Sequence, residues 1–279
     1  MIKIDSNGKI NLGLQVLNKR IDNYHNINTV FSRISLFDQI TFEEDDKISI
    51  DILNSENIPI EDNLIYKAAI KLQNRTKTNK GAKIQLRKNI PMGGGLGGGS
   101  SNAAATLFAL TKLWDLTPST NDLMIIAQSL GSDVPFFLQE GLASAGSRGE
   151  KLNYFKLNLP HHILLVNPNI HVSTPLAFSS LNRNTKQKVA INFKNILFRS
   201  LDNQSLLKEY IINDFEKTIF KVHPEIKLIK NKLYDLGAIF SLMSGSGSTV
   251  FGLFDTIEKA KSAKENFSQY TCHVCNFVI

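Results

Sequence analysis

The glycine-rich segment 91–102 constrains this chain more than any other feature of the sequence. It reads PMGGGLGGGSSN, with six glycines in seven positions, and it directly precedes the alanine-rich apolar stretch 103–114. Glycine loses more backbone freedom on folding than any other residue, so this loop should gain something in return. Because the segment lies between a predicted strand and a predicted helix, its N–H groups would converge at a helix N-terminus, which favours an anion. We expect a phosphate site here, and the alternative is a flexible surface connection.

Two common phosphate-binding motifs describe this segment poorly. Gly93, Gly95 and Gly98 match the spacing of the dinucleotide fingerprint, but so many glycines make the match nearly automatic. No acidic residue ends a second parallel strand about 20 residues further on, as that fold requires. The P-loop motif is excluded because the segment contains no lysine. The predicted phosphate site therefore belongs to another class.

Hydrophobic periodicity predicts an α+β chain. The 279 residues are 42% hydrophobic and 20% charged, which excludes peptide-sized, fibrous and disordered classes. Alternation predicts strands over 10–16, 39–43, 48–52, 82–86, 142–147, 152–155, 163–166, 238–243, 249–254 and 271–278. Helical spacing and caps predict helices over 64–72, 103–114, 119–131, 174–181, 206–222 and 225–236, with one more before the last strand and a tight turn at 131–135. The third of these helices should begin at a capping box formed by Ser119 and Asp122. A composition shift near 157–161 predicts a domain 1–157 and a smaller domain 158–279.

Net charge and hydropathy restrict the kinds of molecule that this protein is expected to bind. The sequence has 32 basic and 25 acidic residues, a net charge of +7 that favours anionic partners. The densest basic cluster, 182–188, contains no aromatic residue on which bases could stack, so we interpret it as a solvated loop rather than a nucleic-acid site. No apolar stretch approaches the roughly 20 residues that span a bilayer, and the first residues lack an apolar signal-peptide core. We expect a cytoplasmic protein without a membrane or nucleic-acid partner.

The cysteine pattern gives no strong functional signal. Cys272 and Cys275 form a single Cys-x-x-Cys near the C-terminus, and His273 between them cannot complete a four-ligand zinc site. We interpret the pair as reduced thiols in a terminal strand, with metal or redox chemistry as the alternative.

The glycine-rich segment resembles the ATP loop of the GHMP kinase superfamily, which includes galactokinase, homoserine kinase, mevalonate kinase and phosphomevalonate kinase. Pro91, the Gly-Leu-Gly core and the two serines form the signature of that loop. Three further segments agree with it, and one more resembles a family marker. They are residues 8–14 with 20–25 (first motif), 130–137 (catalytic-aspartate segment), 244–248 (third, glycine-rich motif) and 213–216 (marker).

The resemblance implies a two-lobed GHMP kinase fold and an ATP-dependent kinase of small molecules. The expected ATP lobe is ribosomal-protein-S5-domain-2-like, and the expected substrate lobe is a ferredoxin-like α/β sandwich. ATP would be the co-substrate, with Mg²⁺, and an alcohol the acceptor. Tyr24 and His25 suggest a base-recognition pocket, so a cytidine-diphosphate-linked polyol of the non-mevalonate isoprenoid pathway is the expected acceptor. The alternatives are a mevalonate-type or homoserine kinase, or a non-catalytic nucleotide- or RNA-binding module on the same fold.

The resemblance also implies roles for individual residues. Asp133 is the expected base for the substrate hydroxyl, and Lys9 is its cationic neighbour. The expected substrate contacts are Asn11, Tyr24, His25, Thr174 and Phe178. The expected nucleotide contacts are Asn63, Lys88, Pro91, Met92, Gly93, Gly94, Gly95, Leu96, Gly97, Gly98, Gly99, Ser100, Ser101, Asn102, Gly245 and Gly247, and Ser101 is also the candidate metal contact.

Without the resemblance, the same residues have plainer interpretations. Asp133 could cap a helix, Lys9 could be a solvated strand residue, the 24–25 pair could be a turn edge, and Phe178 could belong to the core. Asn23 also departs from the family, which more often has glycine there. Because asparagine tolerates positive φ better than most residues, we expect the turn to persist.

Overall fold

The computed structural model describes residues 1–54, 59–181 and 189–278, and it has the predicted α+β composition. Its strands are β1 (Ile2–Lys19), β2 (His25–Asp45), β3 (Ile48–Ile52), β4 (Gly81–Arg87), β5 (Leu142–Gly146), β6 (Lys151–Phe155), β7 (His162–Asn167), β8 (Phe240–Met243), β9 (Val250–Phe254) and β10 (Thr271–Val278). Its helices are α1 (Leu64–Thr76), α2 (Gly98–Leu113), α3 (Thr120–Leu130), α4 (Thr174–Ser180), α5 (Phe193–Ser200), α6 (Ser205–Tyr210), α7 (Glu216–Val222), α8 (Pro224–Asp235) and α9 (Ile257–Glu265). Among these described residues, no helix has the length and apolar character needed to span a bilayer.

The chain forms two compact units, and it passes between them within β1, within β2, at both ends of the stretch 91–96, and between residues 140 and 141. Unit 1 comprises Met1–Gly8, Leu36–Ile90 and Gly97–Glu140. Unit 2 comprises Lys9–Ser35, Pro91–Leu96 and the chain from Gly141 onward. This division differs from a single boundary between residues 157 and 158, because the long strands β1 and β2 each contribute residues to both units. The domains 1–157 and 158–279 therefore stay a prediction.

The described part of unit 1 combines a short mixed sheet with the α-helices α1, α2 and α3. The second part of β2 pairs antiparallel with β4, and β4 pairs parallel with β3. Helices α1, α2 and α3 pack against one another. Helix α1 buries Ile65 and Leu72 on the predicted face. Helix α3 begins at the predicted capping box, in which the Ser119 hydroxyl accepts from the Asp122 N–H and the Asp122 carboxylate accepts from the Ser119 N–H.

Unit 2 contains an antiparallel sheet in which β7 lies between β9 and β10, and β8 pairs with β9. The first part of β2 pairs with β10 and with β5, which in turn pairs with β6. Apolar residues of β7 and β9 pack with helices α8 and α9, and Val166, Val250, Leu233 and Ala260 belong to the same buried cluster. This core supports the loop between β8 and β9.

The predicted helix over 206–222 is wrong in its middle. Two helices, α6 and α7, occupy the stretch, and residues 211–215 between them are not helical. The Leu14 N–H donates to the Ile212 carbonyl at 2.7 Å, and the Asp214 N–H donates to the Leu14 carbonyl at 2.9 Å. Pairing with β1 therefore replaces helical hydrogen bonds here, a long-range effect that helical spacing does not reveal.

Three other elements differ from the sequence prediction. Strands β1 and β2 extend well beyond 10–16 and 39–43, because backbone pairing continues through residues without clear alternation. Helix α5 was missed, although Asn192 caps it by accepting from the Asn195 N–H at 3.0 Å. The basic cluster 182–188, interpreted as a solvated loop, lies outside the described residues.

Candidate active site

Helix α2 begins inside the glycine-rich segment, five residues before the predicted start at residue 103. Gly97 precedes the helix with φ of 68° and ψ of 16°, a left-handed conformation that glycine adopts at little cost. Gly98 and Gly99 form the first turn, so no Cβ covers the N–H groups there. A helix N-terminus with bare backbone N–H groups is suited to a phosphate. The predicted strand–loop–helix context is confirmed, with the helix longer than expected.

Asp38 is a buried carboxylate that the sequence analysis missed. It binds residues just before the glycine-rich segment and also the last residue of that segment, in the first turns of α2. Its Oδ1 accepts from the N–H groups of Asn89 and Ile90, each at 2.8 Å. Its Oδ2 accepts from Lys88 Nζ at 2.6 Å and from Asn102 Nδ2 at 2.9 Å. The only sequence signal was an acidic residue directly before the predicted strand 39–43.

The Asp38–Lys88 pair places a cation at the start of α2. The Lys88 side chain is 9% exposed and that of Asp38 is 0% exposed. A Cβ built on Gly98 would lie 3.2 Å from Lys88 Nζ, so the ammonium lies against the first residue of the helix. Ser101, in the first turn, accepts at Oγ from Ser6 Oγ at 2.7 Å. The ammonium and the helix N-terminus both favour an anion at this position.

Asn63, a predicted nucleotide contact, has a structural role as well. Its Oδ1 accepts from the Ile65 N–H at 2.9 Å and so caps the N-terminus of α1. Its contact with a nucleotide stays a prediction.

The first half of the glycine-rich segment belongs to unit 2, where it contacts the second glycine-rich segment, 244–248. Ser244 Oγ donates to the Gly95 carbonyl at 3.0 Å. Gly95 has φ of 77°, and a Cβ built on it would collide with the Ser244 carbonyl oxygen. Only glycine therefore allows these two backbones to approach so closely.

Two side chains of the marker segment 213–216 hydrogen-bond to the backbone of the second glycine-rich segment and of the residue before it. Asn213 Nδ2 donates to the carbonyls of Met243 and Gly245 at 2.7 and 2.8 Å. Glu216 Oε1 accepts from the Met243 N–H at 2.9 Å, and its Oε2 pairs with Lys230 Nζ at 2.6 Å. Burial raises the pKa of the Glu216 carboxyl, while Lys230 opposes that shift. Both side chains fix the backbone at the end of β8.

Lys9 and Asn11 lie beside the contact between the two glycine-rich segments. Lys9 Nζ donates to Asn11 Oδ1 at 2.7 Å, and the two residues are 3% and 1% exposed. The Lys9 N–H donates to the Leu96 carbonyl at 2.8 Å, and the Asn11 N–H donates to Ser244 Oγ at 3.3 Å. A Cβ on Gly245 would lie 3.6 Å from Asn11 Oδ1. The interpretation of Lys9 as a solvated strand residue is therefore wrong.

Two of the predicted substrate contacts lie against each other in unit 2. The rings of His25 and Phe178 are nearly parallel, with centroids 5.4 Å apart and planes 14° apart. Phe178 also contacts the buried Phe215 edge to face at 4.9 Å, so it belongs partly to the core. Tyr24 is 56% exposed, and the Arg148 guanidinium lies 5.1 Å from its ring centroid. Arg148 was missed because nothing in the sequence links it to this turn.

The remaining predicted residues have plain structural settings. Asn23 has φ of 65°, as expected for a residue that replaces glycine in the turn. Thr174 Oγ1 lies 3.0 Å from Ser246 Oγ, which connects α4 to the second glycine-rich segment. Asp133, in unit 1, is half-buried and precedes the 3-10 helix Val134–Leu138 without a side-chain capping bond. The capping interpretation of Asp133 is therefore not supported, and its role as a base stays a prediction.

Comparison with known proteins decides the family. The model of the GHMP kinases N terminal domain matches residues 63–141, and the model of the GHMP kinases C terminal region matches residues 183–271. A 4-diphosphocytidyl-2-C-methyl-D-erythritol kinase of Thermodesulfovibrio yellowstonii is 40% identical over 286 residues, covering 100% of this chain and 99% of the relative. The chain belongs to the 4-diphosphocytidyl-2-C-methyl-D-erythritol kinases. It is thus an ATP-dependent small-molecule kinase of the GHMP superfamily, as the motifs implied.

Solved structures confirm the GHMP kinase fold of this kinase. The crystal structure of a 4-(cytidine 5'-diphospho)-2C-methyl-D-erythritol kinase superposes with a TM-score of 0.84 at 31% identity and covers 100% of both chains. A homoserine kinase from Cytophaga hutchinsonii superposes with a TM-score of 0.72 at 19% identity, covering 99% of this chain and 94% of its own. The second likeness concerns the fold alone.

The cysteines of this kinase lie on β10, as predicted for a terminal strand. Their spacing of three places the two side chains on opposite faces of the strand. Burial raises the pKa of the Cys272 thiol to about 11, which disfavours the reactive thiolate. The structure thus gives Cys272 the setting of a structural thiol.

Proposed function

We propose that this kinase transfers the γ-phosphoryl group of ATP to the 2-hydroxyl of 4-diphosphocytidyl-2-C-methyl-D-erythritol, in the non-mevalonate pathway to isoprenoid precursors. The position of Lys9 carries the proposal. The Lys9 backbone N–H binds the first glycine-rich segment at Leu96. Its buried ammonium binds Asn11, whose own backbone N–H binds the second glycine-rich segment at Ser244. A cation held there suits the negative charge that phosphoryl transfer concentrates on the transferred group.

In this mechanism, the glycine-rich segments hold the triphosphate. The bare N–H groups at the start of α2 and the Lys88 ammonium would bind the phosphates in unit 1, and Gly245 and Gly247 would offer bare backbone to the nucleotide in unit 2. Phosphoryl transfer requires mainly positioning and charge stabilisation, which such a cradle supplies. Asp133 would accept the hydroxyl proton of the acceptor, and Lys9 would stabilise the developing charge.

The aromatic residues of unit 2 support a cytidylyl acceptor. His25 stacks on Phe178, and Tyr24, its neighbour in the chain, is 56% exposed, so unit 2 carries an imidazole and two aromatic rings of the kind that recognise a base. Thr174 adds a hydroxyl next to the second glycine-rich segment. Mevalonate and homoserine carry no base, so an aromatic pocket of this kind would have no use in those kinases.

Magnesium is also a proposal. Within 1–54, 59–181 and 189–278, no group of three or more His, Cys, Asp or Glu residues is arranged to hold a metal ion. Mg²⁺ commonly arrives with nucleotide phosphates and takes only one or two protein ligands, and Ser101 at the start of α2 fits that need. When bound, Mg²⁺ would neutralise charge on the phosphates. The cytoplasmic location likewise stays a prediction from the sequence.

A panel of acceptors tests this function. The purified kinase is incubated with MgATP and either the cytidylyl acceptor, mevalonate or homoserine, and ADP formation is followed while ³¹P NMR locates the new phosphate ester. We expect turnover with the cytidylyl acceptor alone and a phosphate on its 2-oxygen. Activity on mevalonate or homoserine without activity on the cytidylyl acceptor would contradict the proposal. Salt-sensitive RNA binding without ATP turnover would favour the non-catalytic module instead.

A further inference from the structure

Thr29, on β2, lies behind the Lys9–Asn11 pair and is completely buried. Its Oγ1 donates to the Gly13 carbonyl at 2.5 Å and accepts from Asn11 Nδ2 at 2.9 Å. Asn11 Oδ1 in turn accepts from Lys9 Nζ at 2.7 Å. A hydrogen-bonded chain thus runs from a backbone carbonyl of β1 through two neutral side chains to a buried ammonium.

This chain permits a single orientation of the Asn11 amide. A carbonyl oxygen cannot donate, so the one hydroxyl hydrogen of Thr29 is used by Gly13, and its Oγ1 can only accept from Asn11. If the Asn11 amide were flipped, its oxygen would face a hydroxyl without a hydrogen to give. Its NH₂ group would at the same time face the Lys9 ammonium, which is also a donor.

Burial makes this selection strong. Thr29, Asn11 and Lys9 are each almost fully removed from solvent, so water does not readily replace a lost partner. The Lys9 ammonium also lies 5.0 Å from the centroid of the Phe31 ring. The oxygen of Asn11 and the Phe31 ring both stabilise the ammonium, and the oxygen is in place because of Thr29.

We propose that Thr29 is a positioning residue for phosphoryl transfer, which acts by fixing the Asn11 amide and thereby the Lys9 ammonium. The inference rests on the proposed role of Lys9 in the reaction. Thr29 is completely buried, so we assign it a role through Asn11 and not through direct contact with a substrate. Its loss should therefore lower kcat through a misplaced ammonium while both KM values change little.

The test compares Thr29→Val, which is nearly isosteric but has no hydroxyl, with Thr29→Ser, which keeps the hydroxyl. We expect Thr29→Val to lower kcat about 10-fold, the size typical of one broken buried hydrogen bond, and Thr29→Ser to stay within about 2-fold of the wild type. Thr76→Val is the matched control, because Thr76 Oγ1 donates to the Leu72 carbonyl in α1 at 2.8 Å and its loss should leave kcat unchanged. Thr29→Ala provides a second hydroxyl deletion if the valine variant does not fold.

A double-mutant cycle separates the route through Asn11 from a general loss of stability. In an Asn11→Ala background, Thr29→Val should lower kcat no further, because the amide that it orients is gone. Kinetics are measured below the thermal midpoint of every variant. Wild-type kcat in the variants without the hydroxyl, an equal loss in Thr29→Ser, or a full additional loss in the Asn11→Ala background would each overturn the inference. Failure of the wild type to phosphorylate the cytidylyl acceptor would instead count against the proposed function.

Discussion

The two glycine-rich segments of this kinase are supported by different kinds of groups. The segment that starts α2 lies next to the buried Asp38–Lys88 ion pair, whose carboxylate accepts four hydrogen bonds. The segment 244–248 is held by the neutral amide of Asn213, which donates to two backbone carbonyls. The Glu216–Lys230 pair accepts a hydrogen bond from the Met243 N–H, directly before this segment.

This difference shows that the groups holding each segment suit the ligand chemistry expected of that segment. A buried ion pair is costly unless good hydrogen bonds compensate for the lost hydration, and Asp38 meets that condition. Such a pair holds a cation at a helix N-terminus, where an anion is expected. The second segment needs only a defined backbone shape, and a neutral amide provides it without a charge.

Replacing Asp133 by Asn should have the largest effect and should leave both glycine-rich segments untouched. Neither segment offers a carboxylate that could accept the proton of the acceptor hydroxyl. We expect turnover to fall roughly 10²- to 10⁴-fold, as for loss of a general base, with nucleotide affinity nearly unchanged. Steady-state kinetics and calorimetric titration with ATP measure the two quantities. Turnover close to that of the wild type would remove Asp133 from the mechanism.

Gly95→Val tests the contact between the two segments. Valine is strained at a φ of 77°, and its Cβ would collide with the Ser244 carbonyl, so we expect ATP affinity to fall at least about 10-fold.

Gly237→Ala is the matched control for Gly95→Val. Gly237 has φ of 89°, and a Cβ there meets nothing within 4 Å, so the substitution introduces the strain without the collision. It should cost about 1 kcal/mol of unfolding free energy and leave ATP affinity unchanged. Equal losses of ATP affinity in both variants would show that backbone strain, and not the contact with Ser244, matters.

Asp38→Asn tests the buried Asp38–Lys88 ion pair at the start of α2. The amide cannot satisfy two backbone N–H groups, a lysine and an asparagine amide together, so Lys88 loses its counter-ion and its fixed position. We expect KM for ATP to rise about 10-fold while KM for the acceptor stays within about 2-fold. Arg75→Gln, which removes an exposed pair with Asp122 in the same unit, is the control and should change neither. A parallel rise in both KM values would indicate general disruption.

Glu216→Gln has the smallest expected effect and tests the Glu216–Lys230 ion pair next to the segment 244–248. Because burial raises the pKa of Glu216 in the folded state, the native protein binds more protons than the unfolded chain above the ordinary pKa of the carboxyl. The wild type should therefore lose stability relative to the variant as pH rises through this window. Denaturant unfolding of both proteins between pH 4.5 and 7 measures the difference, since glutamine does not titrate. An unchanged difference across this range would mean that Lys230 fully offsets burial.

The sequence by itself determined the local features of this kinase. The glycine-rich segment before a helix, the Ser119–Asp122 capping box and the positive φ of Asn23 all follow from neighbouring residues and were predicted correctly. The motif resemblance identified the superfamily, because those motifs lie in short contiguous stretches.

Only the tertiary structure decided the supports and the buried network. Asp38 binds Lys88 and Asn102, which are 50 and 64 residues away, and Asn213 binds Met243 and Gly245 across 30 and 32 residues. A side-chain hydrogen bond leaves no periodic trace in the sequence, since it needs only one suitable atom at each end. The break between α6 and α7 has the same origin, because β1 supplies backbone partners that helical spacing cannot reveal. Local conformation was therefore readable from the sequence, whereas long-range polar pairing became visible only once the chain was folded.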